Sequence, residues 1–145
     1  VKRFLPDAAA TEAFGAALAE SLRDREGVVI HLRGDLGAGK TTLVRGLLRA
    51  LGVGGRVRSP TYTLMEPYRA GDRSVIHLDL YRLVDPLELH NLGLTDFSPK
   101  TTWWLVEWPE RGGSLLPAAD VEIALRIEGA GRQVSWQGAS MPQVT

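Results

Sequence analysis

GDLGAGKTT, residues Gly34 to Thr42, is a glycine-rich run that closes on a lysine and two threonines. Within it, Gly34-x-x-x-x-Gly39-Lys40-Thr41 has the full spacing of a phosphate-binding loop. Glycine lets consecutive backbone N–H groups curl around one anion, and a helix starting at the loop adds about half a positive charge at its N-terminus. Gly37, Ala38, Gly39, Lys40, Thr41 and Thr42 are therefore the expected nucleotide contacts. Lys40 would reach the β- and γ-phosphates, Thr41 would offer its hydroxyl to Mg²⁺, and Thr42 would meet the α-phosphate. Only three of the 17 basic residues are lysines, and Lys40 is one of them. A compact ammonium suits this loop where a guanidinium fork does not.

The flanks supply the required context. Val28-Val29-Ile30-His31-Leu32 reads as a buried strand running into the loop; beyond it Leu43, Leu47 and Leu51 share one helix face, ended by Gly52. Upstream, Phe14, Leu18 and Leu22 predict an amphipathic helix over Ala8 to Arg25, stopped by Gly27. Downstream, Thr61 to Tyr68 and Ser74 to Leu80 read as two strands of an antiparallel hairpin turning at Ala70-Gly71-Asp72-Arg73. Asp85-Pro86-Leu87-Glu88 offers an N-cap, a proline and an acid, so a short helix to about Leu92 follows. Trp103-Trp104-Leu105-Val106 predicts a central strand buried on both faces. Val121, Ile123, Leu125 and Ile127 alternate with Glu122, Arg126 and Glu128, and Gly129-Ala130-Gly131 turns the chain into a last strand through Val134 and Trp136. The fold class is α/β: a single P-loop NTPase-like domain over residues 1–145, with a mixed, partly antiparallel central sheet and few helices. The tail after about residue 136 carries the weakest pattern.

Composition sets outer bounds. A chain of 145 residues that is 44% hydrophobic can bury one good core, not two. Lys plus Arg is 17 and Asp plus Glu is 17, so no net field draws nucleic acid or an anionic membrane. The absence of cysteine excludes disulfides and thiolate metal sites and suits a reducing compartment. The start is basic and apolar like a secretion signal, but Pro6, Asp7 and Glu12 interrupt it, and no later run approaches a membrane span. A cytoplasmic monomer with no membrane partner is expected.

Hydrolysis needs carboxylates as well as a loop, to manage the metal and the attacking water. Asp79 and Glu107 each end an apolar run, where an acid emerges beside the phosphate loop and can hold Mg²⁺ directly or through water. Lys40, Asp79 and Glu107 are thus the catalytic candidates. Ser59-Pro60-Thr61 is a stiff turn, and Ser59 and Thr61 are candidate switch residues sensing the γ-phosphate or the metal; an ordinary strand entry is the competing account. Trp108 follows Glu107 and is expected near the nucleotide, whereas Trp103 and Trp104 belong to the core. His31, His77 and His90 show no metal-ligand spacing and read as packing residues. Arg56, Arg58, Arg69 and Arg73 read as solvated strand ends in preference to an RNA patch, and Arg82 is a candidate for neutralising transition-state charge.

Four stretches in order, GDLGAGKTT at 34–42, SPTYTLMEPY at 59–68, HLDLYRL at 77–83 and LVEWPE at 105–110, resemble the TsaE (YjeE) family, with similarity from about Leu5 to Ser135. The resemblance implies a cytosolic, Mg²⁺-dependent ATPase of tRNA threonylcarbamoyladenosine biosynthesis. It would assist the threonylcarbamoyl transferase TsaD and its partner TsaB, with tRNA met only indirectly. Carried over by motif, the family's loop lysine and threonine fall on Lys40 and Thr41, its DLYR aspartate on Asp79 and its EWP glutamate on Glu107. The family makes Glu107 a metal ligand beside Thr41; Asp79 orients either water or the γ-phosphate. Two rivals use the same loop: a small-molecule kinase, whose arginine lid would have to come from Arg56 and Arg58, and a nucleotide-binding adaptor without turnover. A GTPase is disfavoured because no Asn-Lys-x-Asp segment occurs.

Overall fold

The structure, a computed structural model, describes residues 1–138. Its elements run β1 (Lys2–Leu5), α1 (Ala8–Ser21), β2 (Val28–Arg33), α2 (Lys40–Leu51), β3 (Met65–Ala70), β4 (Arg73–Asp79), β5 (Thr102–Glu107), β6 (Val121–Glu128) and β7 (Gly131–Gln137). All strands join one sheet in the order β1-β7-β6-β2-β5-β4-β3. The four inner strands β6, β2, β5 and β4 are parallel; antiparallel partners extend the sheet on both sides. This is the mixed sheet expected, and it places the C-terminal ends of β2, β5 and β4 side by side. Open α/β sheets take ligands at that edge.

Strand periodicity divides the core. Val28, Ile30, Leu32, Val75, Trp103 and Leu105 pack with α1 and α2, while Val29, Ile76, Leu78, Trp104 and Val106 pack on the opposite face with Leu80, Leu83, Leu89 and Leu116. β5 is buried at all six positions, as its unbroken apolar run requires. Short 3-10 helices instead of α-helices cover that second face, at Pro86–Leu92, Leu94–Asp96, Pro109–Arg111 and Gly113–Leu115. The first is fixed by a capping box in which Asp85 Oδ1 accepts from Leu87 N and Glu88 Oε2 from Asp85 N, each at 2.9 Å.

Several expectations are corrected. α1 stops at Ser21, not Arg25: the Leu22 N–H turns back to Leu18 and Ala19 carbonyls, and the chain then bends toward β2. Gly27 does not cap it. A Cβ there would lie 2.3 Å from the Pro99 carbonyl oxygen, so glycine permits a close backbone crossing. The strand expected from Thr61 starts only at Met65, because Leu64 adopts φ 67° and its N–H bonds to the Pro60 carbonyl at 2.9 Å, making 60–64 a turn. The first residues form β1, a strand that no pattern in the sequence announces; it pairs with β7 although only Leu5 is buried. β7 continues through Gln137, and the rest of the tail, 139–145, lies outside the described residues. Among those described, no helix is long and apolar enough to cross a membrane.

Candidate functional site

The phosphate loop leaves β2 and enters α2 at Lys40. Gly37 and Gly39 hold φ of 79° and 105°, left-handed conformations that a side chain disfavours and that let the loop turn sharply into the helix. Gly39 sits at the N-cap of α2, so the open N-terminus of the helix points at the loop's concavity. A cleft of about 340 Å³ opens above it. Loop residues 36–42 form its floor, and Ser59, Thr61, Asp79, Tyr81, Glu107 and Trp108 line one wall. The N-terminal turn of α1 and Ala130, Gly131 and Arg132 of the β6–β7 hairpin also line it.

Lys40 is 5% exposed, and its ammonium donates to the Gly34 carbonyl within the loop. Nζ also lies 3.7 Å from the centre of the Trp108 ring, a cation–π contact. Burial lowers the Lys40 pKa, opposed by the negative charges of Glu107, Asp79, Glu110 and Asp35. Trp108 reaches this position through a backbone in the left-handed region, φ 57° and ψ 50°, costing roughly 1–2 kcal/mol. Its N–H bonds to the Leu32 carbonyl at 3.3 Å, and its ring meets Tyr81 at 5.0 Å, contacts that offset the strain.

Register sets the acids. Asp79 pairs with Glu107 across the β4–β5 ladder, so both carboxylates stand on the helix-covered face at the strand ends. Glu107 is 2% exposed, and its Oε2 accepts from Thr41 Oγ1 at 2.9 Å and from His77 Nε2 at 2.6 Å. Asp79 accepts from Tyr81 N at 3.1 Å and from Ser59 Oγ at 3.4 Å. Burial raises its pKa, with the neighbouring Glu107 charge acting in the same direction and the hydrogen bonds from Tyr81 and Ser59 against it. Ser59 and Thr61 share a hydroxyl contact of 2.9 Å, which links the turn to Asp79.

Nearly every candidate named from the sequence thus lines one cleft: Gly37 to Thr42, Ser59, Thr61, Asp79, Glu107 and Trp108. Arg56, Arg58 and Arg82 do not; Arg82 stacks on Tyr62 with its guanidinium 4.6 Å from the ring centre. Arg73 is committed elsewhere, donating to the carbonyls of Arg25 and Arg23 at 2.8 and 2.9 Å. Two further residues belong to the site. Arg132 donates to the Gly37 carbonyl at 3.0 Å from across the cleft, and His77 is no mere packing residue because it is bonded to Glu107.

A family model described as "Threonylcarbamoyl adenosine biosynthesis protein TsaE" matches residues 5–134. The chain belongs to the TsaE family. The tRNA threonylcarbamoyladenosine biosynthesis protein TsaE of Haemophilus influenzae is 43% identical over 124 residues, which span 83% of this chain and 78% of that one. Its counterpart in a Synechocystis species is 46% identical over 117 residues, 74% and 69% of the two chains. The crystal structure of Bacillus subtilis YdiB aligns over 97% of this chain and 86% of its own, with TM-score 0.78 and 26% identity. TsaE proteins take part in tRNA threonylcarbamoyladenosine biosynthesis, and the P-loop NTPase-like architecture anticipated from the loop is the one the family shares.

Proposed function

We propose that this TsaE-family chain binds and hydrolyses Mg-ATP, and that it does so in support of TsaD and TsaB as they threonylcarbamoylate the adenosine beside the tRNA anticodon. The observation that carries the reading is the convergence of a phosphate loop, the Lys40 ammonium and the Thr41–Glu107 pair in one cleft. The residues fit a magnesium ion. Two neighbouring ligands of an octahedral ion at 2.0–2.1 Å stand about 2.9 Å apart. Thr41 Oγ1 lies 2.9 Å and 3.3 Å from the two Glu107 oxygens. Bound there, Mg²⁺ would draw charge from the phosphate oxygens.

The chain's own groups account for the rest. Loop N–H groups and the α2 N-terminus hold the phosphates, and Lys40 exchanges its Gly34 contact for phosphate oxygens. Glu107 and Thr41 orient the metal. Asp79, steadied by Tyr81 N–H, orients the water or the γ-phosphate, and its Ser59 contact passes the occupied state to the 59–61 turn. Tyr62 on that turn is 82% exposed, so a shift there changes the surface offered to another protein. A small-molecule kinase finds less support, because neither Arg56 nor Arg58 lines the cleft.

Reconstituted tRNA modification, with and without this chain and ATP, tests the whole reading. Alone, with Arg132 bonded to the Gly37 carbonyl and no other arginine lining the cleft, turnover is expected at roughly 10⁻⁴ to 10⁻² per second, and TsaB with TsaD should raise it. Equal rates with and without the partners would contradict that. A simpler measurement uses Trp108. Of the four tryptophans only Trp108 lines the cleft, and Mg-ATP would pull Lys40 off its ring. Emission should change on nucleotide addition, and Trp108→Phe should remove most of the change; a response of wild-type size in the mutant would count against it.

A further inference from the structure

His77 has no part in the mechanism above, yet it is wholly buried and its Nε2 stands 2.6 Å from Glu107 Oε2. It lies on β4 two residues before Asp79, paired with Leu105, so its side chain shares the face that carries both carboxylates. A carboxylate oxygen only accepts, so the imidazole donates to it through Nε2. Nδ1 has no partner in the structure. A leucine would fill this place without burying an unmatched ring nitrogen, so packing alone does not explain a histidine here. We propose that His77 is a positioning residue that fixes the Glu107 carboxylate for the divalent ion, from inside the core and without touching nucleotide. The inference rests on the Mg-ATP reading.

The geometry supports this directly. A glutamate has three side-chain torsions to restrain, and Thr41, itself proposed to turn to the metal, cannot be the only restraint. His77 anchors Oε2 from the buried side and so holds the carboxylate with its oxygens 2.9 Å and 3.3 Å from Thr41 Oγ1. Partners that orient a ligand in this way typically govern metal affinity by about 10–100-fold.

Two amide variants separate positioning from packing. His77→Gln carries its N–H to about the place of Nε2, whereas His77→Asn is one methylene shorter and falls short of Glu107. Binding of Mn²⁺ in the presence of ADP, followed by the free-ion electron paramagnetic resonance signal, gives a readout independent of turnover. Affinity for ADP in EDTA and thermal melting are measured beside it. His77→Asn should weaken Mn²⁺ binding about 10–100-fold with metal-free ADP affinity kept, and His77→Gln should recover most of the loss. Equal Mn²⁺ affinities in the two variants would overturn the role assigned to His77 while leaving the Mg-ATP reading intact. A wild-type protein that takes up no Mn²⁺ with ADP would overturn both.

Discussion

Lys40→Ala should leave a folded protein that no longer takes up ATP at concentrations saturating the wild type. The ammonium is the one lysine charge lining the cleft, and three acids, Asp7, Asp79 and Glu107, line it as well. Without Lys40 a triphosphate would meet that acidic wall with Arg132 as the remaining cation. Each charge-assisted hydrogen bond to a phosphate contributes about 1.5–3 kcal/mol, so losing two lowers affinity about a hundredfold or more. The fold itself should not suffer. Alanine is the better helix former in the first turn of α2, and burial already makes the folded chain hold the lysine proton less tightly than the unfolded chain does. That difference counts against folding wherever the amine is charged and offsets the lost contacts to the Gly34 carbonyl and the Trp108 ring, so the thermal midpoint should stay near that of the wild type. Calorimetry with Mg-ATP and a melting curve check both halves. Affinity within a few-fold of wild type would take Lys40 out of the site.

What the sequence discloses and what it hides differ by range. The phosphate loop is legible because its requirements are local: positive φ at Gly37 and Gly39, a donor-rich helix start and a short cation sit within a few residues. The strand-end acids are legible for a related reason, since a buried run that stops on a carboxylate has to give that carboxylate polar partners at the strand end. Which acid meets what is another matter. Thr41 and Glu107 are 66 positions apart and His77 and Glu107 are 30, and both meetings depend on the β2–β5–β4 register, which no local pattern states. The 60–64 turn was hidden because Thr61, Tyr62 and Thr63 have strand-forming side chains, while the left-handed Leu64 that breaks the strand leaves no compositional mark. Arg132 came from the far hairpin, and nothing near it in the chain marks it as facing the loop.

Glu107→Ala should stop Mg²⁺-dependent hydrolysis while nucleotide binding partly survives. The loop amides and Lys40 grip phosphate without it, so binding in EDTA should persist, helped by the loss of a negative charge near the phosphates. If turnover depends on the metal as proposed, then with Thr41 as the one remaining side-chain ligand it should fall about a hundredfold or more. Alanine also strips His77 Nε2 and Thr41 Oγ1 of their shared acceptor, which costs about 1–3 kcal/mol for the buried donor left unmatched. Glu107→Gln separates these effects, because its amide oxygen can still accept from His77 and Thr41 while the charge is gone. If the metal argument holds, Glu107→Gln melts near wild type yet hydrolyses as poorly as Glu107→Ala; if the glutamate is only a structural acceptor, Glu107→Gln restores turnover. Phosphate release measured across a Mg²⁺ titration distinguishes the two, and wild-type rates in Glu107→Ala would remove the residue from the site.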